Sequence, residues 1–260
     1  MTIERNKIYN SDCLTLMADM PGNLIDLTVT SPPYDSLRKY HGYSFDADAI
    51  NKELYRVTKP GGIVVWVVGD QTINGSESGE SFRQALKFKE EKFRLHDTMI
   101  YQKMGLGFTP KDKYYQSFEY MFVFSKGVPK TFNPIQVDRT GHKHGSVGCK
   151  SRGTQKKIKY DPTKKTRNAN NIWLIANHSK NAAKDDLAYQ HEAIFPEELA
   201  KNHILSWSNP GDLVFDPMAG SGTTGVQAVL NKRDFILCDC SAEYCDLMKK
   251  RLTLRLNETL

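Results

Sequence analysis

A run of six consecutive apolar residues, 63–68, constrains the fold of this chain more than any other feature. A strand with one face in water alternates apolar and polar residues, whereas an unbroken apolar run is typical of a strand buried on both faces. Helix candidates flank the run at residues 47–57 and 81–92, and the Lys-Pro-Gly-Gly sequence at 59–62 predicts a stop after the first helix. The run therefore predicts an α/β fold with helices on both faces of a mostly parallel sheet.

Strand and helix patterns alternate along the rest of the 260 residues, which are enough to bury a substantial core. The other strand candidates are residues 23–30, 93–102, 120–124, 213–215 and 235–239. The other helix candidates are residues 196–207, 223–230 and 243–254. This alternation again favours a mainly parallel sheet.

The composition favours a cytoplasmic protein with no membrane partner. The longest apolar run is far shorter than the roughly 20 residues that a membrane helix needs. The N-terminal residues contain no apolar signal core. Five cysteines, an odd number, favour free thiols in a reducing cytosol over a disulfide framework.

The positive charge is concentrated in one segment. Residues 126–184 contain fourteen Lys or Arg and only two acids, while the whole chain has a net charge of +6. The segment lacks sustained apolar periodicity, which predicts loops or a small irregular lobe. Such a lobe attracts polyanions, because neutralising phosphates releases condensed counterions. The charge of this segment is therefore compatible with two interpretations, a site that binds nucleic acid and a solvated loop that binds nothing.

A glycine-rich turn follows the strand candidate at 213–215. The sequence from Asp216 to Thr224 is D-P-M-A-G-S-G-T-T, and glycines allow the backbone to turn tightly and approach a ligand. Gly220, Gly222 and Gly225 also fit the G-x-G-x-x-G pattern of nicotinamide sites. A P-loop is excluded, since no Lys follows the glycines. An ordinary strand–helix turn is the simplest alternative.

A second stiff turn, Ser31-Pro32-Pro33-Tyr34, follows the first strand candidate. The two prolines fix φ and remove two N–H donors, which leaves carbonyl oxygens free as acceptors. With the Ser31 hydroxyl and the Tyr34 ring, the turn suits a planar ligand that carries an amino group. A rigid loop without a role is the alternative reading.

Together, the two turns resemble motifs of the DNA amino-methyltransferases of bacterial restriction–modification systems, in the permuted order of the β group. The resemblance covers nearly the whole chain. It implies a circularly permuted, Rossmann-like methyltransferase fold that uses S-adenosylmethionine. It also implies a catalytic half at residues 1–126, an inserted basic target-recognition region at 127–189 and a cofactor-binding half at 190–260.

The resemblance assigns the candidate site residues. It implies that Asp12 faces the cofactor adenine, that Asp239 binds the ribose and that Phe195 lies against the cofactor. Met218 departs from the usual Phe. The catalytic candidates are Ser31, Pro32, Pro33 and Tyr34. The cofactor candidates are Asp12, Phe195, Asp216, Pro217, Ala219, Gly220, Ser221, Gly222, Thr223, Thr224 and Asp239.

The basic residues are the candidates for contacts with double-stranded DNA. Arg38 follows the catalytic turn and is either a DNA contact or a solvated charge. The full set of candidates is Arg38, Arg139, Lys143, Arg152, Lys156, Lys157, Lys164, Lys165 and Arg167. No metal site is expected, because Cys238, Cys240 and Cys245 lack the usual ligand spacing. His142, His144 and Cys149 are expected to be solvated or to face DNA rather than to bind zinc.

In the family that the chain resembles, the residue before Pro-Pro-Tyr differs with the base that is methylated. Ser there goes mostly with cytosine N4, and Asp or Asn mostly with adenine N6, so Ser31 favours cytosine. The transfer is expected to be direct, with the target base flipped out of the duplex. Adenine-N6 methylation is the main alternative. An RNA or protein acceptor, an inactive nucleic-acid binder and a nicotinamide oxidoreductase are more distant ones. The resemblance also leaves open a separate cognate restriction endonuclease, a homodimer, and a bacterial or phage origin.

Overall fold

The computed structural model of the chain describes residues 2–33, 45–104, 111, 113–139, 165–176 and 181–257. The chain divides into two compact units. The larger unit comprises Met1–Asn133 together with Asn171–Leu260, and the smaller unit comprises Pro134–Asn170. The functional division at residues 126 and 189 stays a prediction, because compactness does not reveal which residues contact DNA.

Strands and helices alternate along most of the described chain. The strands are β1 (Lys7–Asn10), β2 (Ile25–Thr30), β3 (Thr58–Val68), β4 (Thr72–Ile73), β5 (Ser76–Glu77), β6 (Arg94–Met104), β7 (Phe118–Ser125), β8 (Gln136–Asp138), β9 (Thr166–Asn168), β10 (Ile172–Ala176), β11 (Leu213–Asp216) and β12 (Asp234–Asp239). The helices are α1 (Cys13–Asp19), α2 (Ala47–Val57), α3 (Glu80–Glu90), α4 (Glu197–Trp207), α5 (Thr223–Leu230) and α6 (Ala242–Asn257), with a 3-10 turn at Asp186–Gln190.

Eight strands form one sheet in the order β1-β12-β11-β2-β3-β7-β6-β10. Neighbouring strands are parallel except at β7, which is antiparallel to both β3 and β6. The predicted α/β fold with a mostly parallel sheet is therefore confirmed. Strand β11, which leads into the glycine-rich turn, pairs with β2 from the other end of the chain. The strand before the Ser-Pro-Pro turn thus comes earlier in the chain than the strand before the glycine-rich turn, which is the permuted order of the family that the chain resembles.

The apolar run 63–68 lies in β3, and each of its side chains is at most 1% exposed. Alternate residues enter two different cores, because successive side chains of a strand point to opposite faces. Ile63, Val65 and Val67 pack with residues of α4, α5 and α6. Val64, Trp66 and Val68 pack with residues of α1, α2 and α3. Helices therefore cover both faces of the sheet, as predicted. None of the helices in the described ranges is long and apolar enough to cross a lipid bilayer.

The helix stop that was predicted from the Lys-Pro-Gly-Gly sequence at 59–62 is confirmed. Helix α2 ends at Val57, and the four residues lie inside β3. Gly61 has φ +82° and its N–H donates to the carbonyl of Lys126 at 2.6 Å. The pairing of β2 with β3 also shifts register between Ile25 and Leu27. A glycine with positive φ lets the strand continue through this irregularity despite the proline.

The prediction of loops throughout the basic segment was wrong at β10. This strand pairs in parallel with β6 at the end of the sheet. Ile172 and Leu174 are each 56% exposed, so the strand has no buried apolar pattern on that face. The residues of β10 are apolar on the exposed face as well as on the covered face, so they lack the alternation that is typical of a half-buried strand.

Candidate active site

The two predicted turns meet at the carboxyl edge of the sheet. Strands β2 and β11 are parallel neighbours, with Phe215 opposite Thr28. Thr30, the last residue of β2, donates a hydrogen bond from Oγ1 to Oδ1 of Asp216, the last residue of β11, at 2.7 Å. Ser31, Pro32 and Pro33 follow Thr30 directly and therefore begin beside the glycine-rich turn. Ligands of open α/β sheets bind outside this edge.

Asp216 is a buried carboxylate held by three donors. Besides Thr30, Oγ1 of Thr224 donates to Oδ2 at 2.7 Å, and the N–H of Met218 donates to Oδ1 at 3.1 Å. Burial raises the pKa of Asp216 to about 6, although these hydrogen bonds favour the ionised form. The group therefore titrates close to neutral pH, where a nearby cation would favour its charged state.

The glycines of the turn occupy positions that other residues fit poorly. Gly220 has φ +51°, and a Cβ there would lie 2.7 Å from Nε2 of His191. Gly222 has φ +78°, and a Cβ there would lie 2.6 Å from Cγ of Met248. The N–H of Gly222 donates to the carbonyl of Ala219 at 2.7 Å, which closes the turn. Ser221 and Thr223 are buried beneath it. The glycines thus allow a tight, buried turn that packs directly against His191 and Met248.

Asp239 lies on the other side of the turn, at the end of β12. Its Oδ2 accepts the N–H of Gly220 at 2.9 Å and its Oδ1 accepts the N–H of Ser241 at 2.9 Å. Burial raises the pKa of Asp239, while the two backbone donors and the charge of His191 act in the opposite direction. Each carboxylate oxygen can accept a second hydrogen bond. The residue is therefore able to bind a hydroxyl group beside the turn.

Asp12 caps helix α1. Its Oδ1 accepts the N–H groups of Leu14 at 3.0 Å and Thr15 at 3.1 Å. The preceding residue, Ser11, donates its N–H to the carbonyl of Asp239 at 3.1 Å, so Asp12 lies near the predicted ribose-binding acid. Its predicted role toward the adenine stays a prediction, and helix capping is a further role that the motif did not indicate.

Phe195 is partly buried and packs against the core on the side of α4 to α6. It directly precedes Pro196, the residue that caps α4. His191, four residues earlier, has its ring against Gly220 and against Tyr244, with ring centroids 4.4 Å apart. The segment around residues 191–195 therefore reaches the glycine turn, and contact of Phe195 with the cofactor stays a prediction.

A buried network of four charged side chains lies behind the turn and was missed by sequence reasoning. Arg251 is fully buried, donates to both oxygens of Asp185 and contacts Glu197. Arg255 bonds the same two acids, at 3.3 Å to Asp185 and 2.7 Å to Glu197. Burial opposes ionisation of Asp185, but the hydrogen bonds and charge of Arg251 hold the pKa below its usual value. The one sequence feature that could have indicated the network is the presence of two arginines four residues apart among the apolar residues of α6.

Of the predicted DNA-binding residues, the structure describes three and leaves the others outside the described ranges. The three are Arg139, Lys165 and Arg167, which belong to the smaller unit, where β8 pairs with β9. The N–H of Arg139 donates to the carbonyl of Lys165 at 2.9 Å, and Arg167 donates to Oδ1 of Asn170 at 2.8 Å. All three side chains are exposed. The residues outside the description are Tyr34, Arg38, His142, Lys143, His144, Cys149, Arg152, Lys156, Lys157 and Lys164.

The C-terminal cysteines take part in packing. Cys238 and Cys245 are buried and donate their thiols to backbone carbonyls of Ser11 and Tyr9, respectively. Burial raises the pKa of Cys245 to about 11 and raises that of Cys238 further. Thiols this weakly acidic are poor metal ligands and poor nucleophiles at neutral pH. Within the described ranges, no group of three or more His, Cys, Asp or Glu side chains is arranged to hold a metal ion.

Comparison with known proteins identifies the family to which the chain belongs. The N6_N4_Mtase family, described as DNA methylase, matches residues 25–250. The chain belongs to this family. The nicotinamide reading of the glycine pattern is thereby set aside. Orphan methyltransferase M.BamHII of Bacillus amyloliquefaciens is 54% identical over 236 residues, covering 88% of each chain.

Solved structures share the fold. The PvuII DNA methyltransferase (cytosine-N4-specific) aligns with a TM-score of 0.71 and 20% identity, covering 98% of this DNA methylase and 93% of the PvuII chain. A putative DNA modification methylase from Thermus thermophilus, solved as a complex with S-adenosyl-L-methionine, aligns with a TM-score of 0.65 and 22% identity. That alignment covers 96% of this chain and 95% of the Thermus protein. At this identity, the likeness identifies the methyltransferase fold.

Proposed function

We propose that this DNA methylase transfers a methyl group from S-adenosylmethionine to the exocyclic N4 amine of cytosine in double-stranded DNA. The hydrogen bond between Thr30 and Asp216 carries the proposal, because it joins the Ser-Pro-Pro turn to the glycine turn at one edge of the sheet. The likeness to a cytosine-N4 enzyme and to a protein solved with S-adenosyl-L-methionine supports the choice of substrate and methyl donor.

The residues around the glycine turn fit S-adenosylmethionine. The glycines at 220 and 222 let the turn pack tightly against His191 and Met248, and the N–H of Gly220 holds the Asp239 carboxylate beside the turn. Asp239 has unused acceptor capacity for ribose hydroxyls. Asp216 supplies a carboxylate whose charged form a cationic ligand would favour. The proposed cofactor contacts are Asp12, Phe195, Asp216, Pro217, Ala219, Gly220, Ser221, Gly222, Thr223, Thr224 and Asp239.

The Ser-Pro-Pro turn orients the substrate amine. The hydroxyl of Ser31 and the carbonyl of Pro32 accept hydrogen bonds from the two N–H groups of the amine. This arrangement favours a pyramidal nitrogen whose lone pair is available, and positioning is the main catalytic contribution. S-adenosylmethionine supplies an activated methyl group on a positively charged sulfur when bound. The chain itself needs no covalent bond to the base, and its sequence contains no Pro-Cys dipeptide of the kind expected for carbon-5 methylation.

The base reaches this turn by leaving the duplex. Flipping a base costs on the order of a few kcal/mol. Tyr34, which follows the two prolines in the sequence, offers a ring on which the extruded base stacks. The positive charge of residues 126–184 supplies the phosphate contacts that hold the duplex. The proposed DNA contacts include Arg139, Lys165 and Arg167 of the smaller unit.

Substitution of Ser31 tests the assignment. Ser31→Ala removes one acceptor and should lower kcat at least tenfold while the Kd for S-adenosylmethionine changes less than twofold. Thr253→Ala, which removes a hydroxyl on the exposed side of α6, is the matched control and should leave both values unchanged. Full methyl transfer by Ser31→Ala would overturn the role of Ser31.

The relative with 54% identity is named an orphan methyltransferase. This name supports action without a dedicated restriction endonuclease for the present chain as well.

A further inference from the structure

Arg251 connects the glycine turn to a segment far away in the sequence. Its Nη1 donates to the carbonyl of Ser221 at 2.8 Å, to Oγ of Ser221 at 3.2 Å and to Oγ1 of Thr223 at 3.1 Å. Its Nε and Nη2 donate to Asp185 at 2.9 Å each. We propose that Arg251 is a positioning residue for S-adenosylmethionine, which holds the turn and the segment 185–197 at a fixed spacing. This inference rests on the proposed placement of the cofactor at the turn.

The shape of the guanidinium explains why an arginine occupies this position. It is planar and carries five N–H donors in fixed directions, so one group can bond an acid on one side and a peptide carbonyl on the other. A lysine ammonium is a point charge and cannot span both partners. Burying such a charge is costly, and replacing a whole buried ion pair by apolar residues is often neutral or stabilising. Stability alone therefore does not account for the network.

The bonds of Arg251 hold the turn from its inner side. The carbonyl of Ser221 points toward Arg251, while the N–H of Gly222 closes the turn onto Ala219. With these peptides fixed, the N–H of Gly220 is directed to Asp239, the proposed ribose acceptor. Loss of the arginine leaves the peptide between Ser221 and Gly222 held, among the described residues, only by the bond from Gly222 to Ala219, without breaking any strand pairing of the sheet.

The segment at the other end of the ion pair carries further proposed cofactor contacts. Asp185 begins the 3-10 turn that leads to His191, whose ring lies against Gly220, and to Phe195. Glu197, at the start of α4, is bonded by Arg251 and also by Gln227 of α5. The network therefore connects the glycine turn with the segment 185–197 through side chains of the C-terminal helix α6.

Arg255 provides a matched control within the same network. It lies one helical turn beyond Arg251 and bonds the same two carboxylates. Replacing either arginine removes one positive charge from the same buried cluster, whereas the bonds to Ser221 and Thr223 come from Arg251. A purely structural role for the cluster predicts that each substitution weakens cofactor binding only as far as it lowers the stability of the protein. A positioning role predicts that Arg251→Gln weakens binding beyond its loss of stability, whereas Arg255→Gln does not.

The experiment compares full-length Arg251→Gln, Arg251→Lys and Arg255→Gln by calorimetric titration with S-adenosylmethionine. Arg251→Gln should raise the Kd at least tenfold and Arg255→Gln less than threefold. In steady-state assays Arg251→Gln should raise the KM for the cofactor while kcat at saturation changes less than twofold. Arg251→Lys keeps the positive charge but loses the planar guanidinium with its fixed donors. It should therefore fold and still raise the Kd about fivefold. This variant decides the question if Arg251→Gln does not fold.

Equal Kd values for Arg251→Gln and Arg255→Gln, or an unchanged Kd in Arg251→Lys, would overturn the inference. Asp239→Ala separates this failure from failure of the cofactor placement. If Asp239→Ala weakens binding and the Arg251 variants do not, Arg251 has no positioning role. If Asp239→Ala also leaves the Kd unchanged, the cofactor does not bind at this turn and the proposed site is wrong.

Discussion

Thr30 and Asp216, separated by 186 residues in the sequence, share a buried hydrogen bond of 2.7 Å between a hydroxyl and a carboxylate. The bond joins the last residues of β2 and β11, immediately before the two turns proposed to hold the substrate amine and the methyl donor. Its geometry fixes where the turns start relative to each other. It also helps Asp216 to ionise within a site whose burial favours the neutral acid.

Removing this hydroxyl should disturb both turns. Thr30→Val conserves the shape of the side chain and leaves the buried Asp216 with one donor fewer. We expect a loss of stability of about 1–3 kcal/mol, a lower melting temperature and weaker binding of S-adenosylmethionine. Calorimetry and thermal unfolding measure these changes.

Thr28 is the matched control for Thr30. It lies two residues earlier on the same strand and is fully buried, and its Oγ1 has no hydrogen-bond partner in the described structure. Thr28→Val should therefore be neutral or stabilising, since it removes an unsatisfied buried hydroxyl. Equal effects of the two substitutions would show that the bond to Asp216 has no special importance.

Cofactor binding should depend on pH through Asp216. Its pKa is raised to about 6 by burial, and a positively charged ligand favours the ionised form. Affinity for S-adenosylmethionine should therefore fall as the pH drops from 8 through 6 to 5. In the free protein, the raised pKa contributes stability that is lost as the pH rises through about 6. Titrations between pH 5 and 8 test this, and Asp216→Asn should flatten the profile. An identical pH profile in wild type and variant would contradict the prediction.

The stability of the fold should carry an opposite pH dependence from His203. This fully buried residue of α4 packs beside the Trp173 ring and Met121, and burial lowers its pKa from 6.5 to about 3. The unfolded chain takes up a proton below about pH 6.5 while the folded protein stays neutral at this position. This contribution to stability is therefore fully present above about pH 6.5 and is lost as the pH falls below that value, by at most about 1.4 kcal/mol per pH unit.

His203→Leu isolates this contribution from that of the carboxylates. The variant should lose less stability than the wild type between pH 6.5 and 5, as measured by urea unfolding at each pH. Because both proteins keep Asp216, the difference between their curves reports on His203. Parallel curves would mean that the pKa of His203 is the same in the folded protein as in the unfolded chain.

The sequence predicted the central part of this fold because its signals are local. The run 63–68 is apolar on both faces, and the helix at 223–230 has the bounds that its pattern indicated. The sequence also indicated that each turn directly follows a strand, whereas the pairing of β2 with β11, which brings the turns together, comes from the structure. In contrast, β10 is an edge strand that carries apolar Ile172 and Leu174 on its exposed face, so the alternation of a half-buried strand is missing.

The buried charge network behind the turn could not be predicted from local patterns. Arg251 pairs with Asp185, 66 residues earlier, and no propensity or spacing rule links such distant charges. The capping role of Asp12 was missed for a different reason. Its place in a family motif indicated a ligand, while the helix that it caps is only seven residues long and gives little signal of its own.

Nucleoside mass analysis of DNA from cells that express this chain tests the central claim most directly. A methylase-deficient host without the chain provides the background. The proposed role of Ser31 predicts N4-methylcytosine that is present with the wild-type chain and lost with Ser31→Ala. N6-methyladenine in place of N4-methylcytosine, or no methylated base at all, would contradict the account.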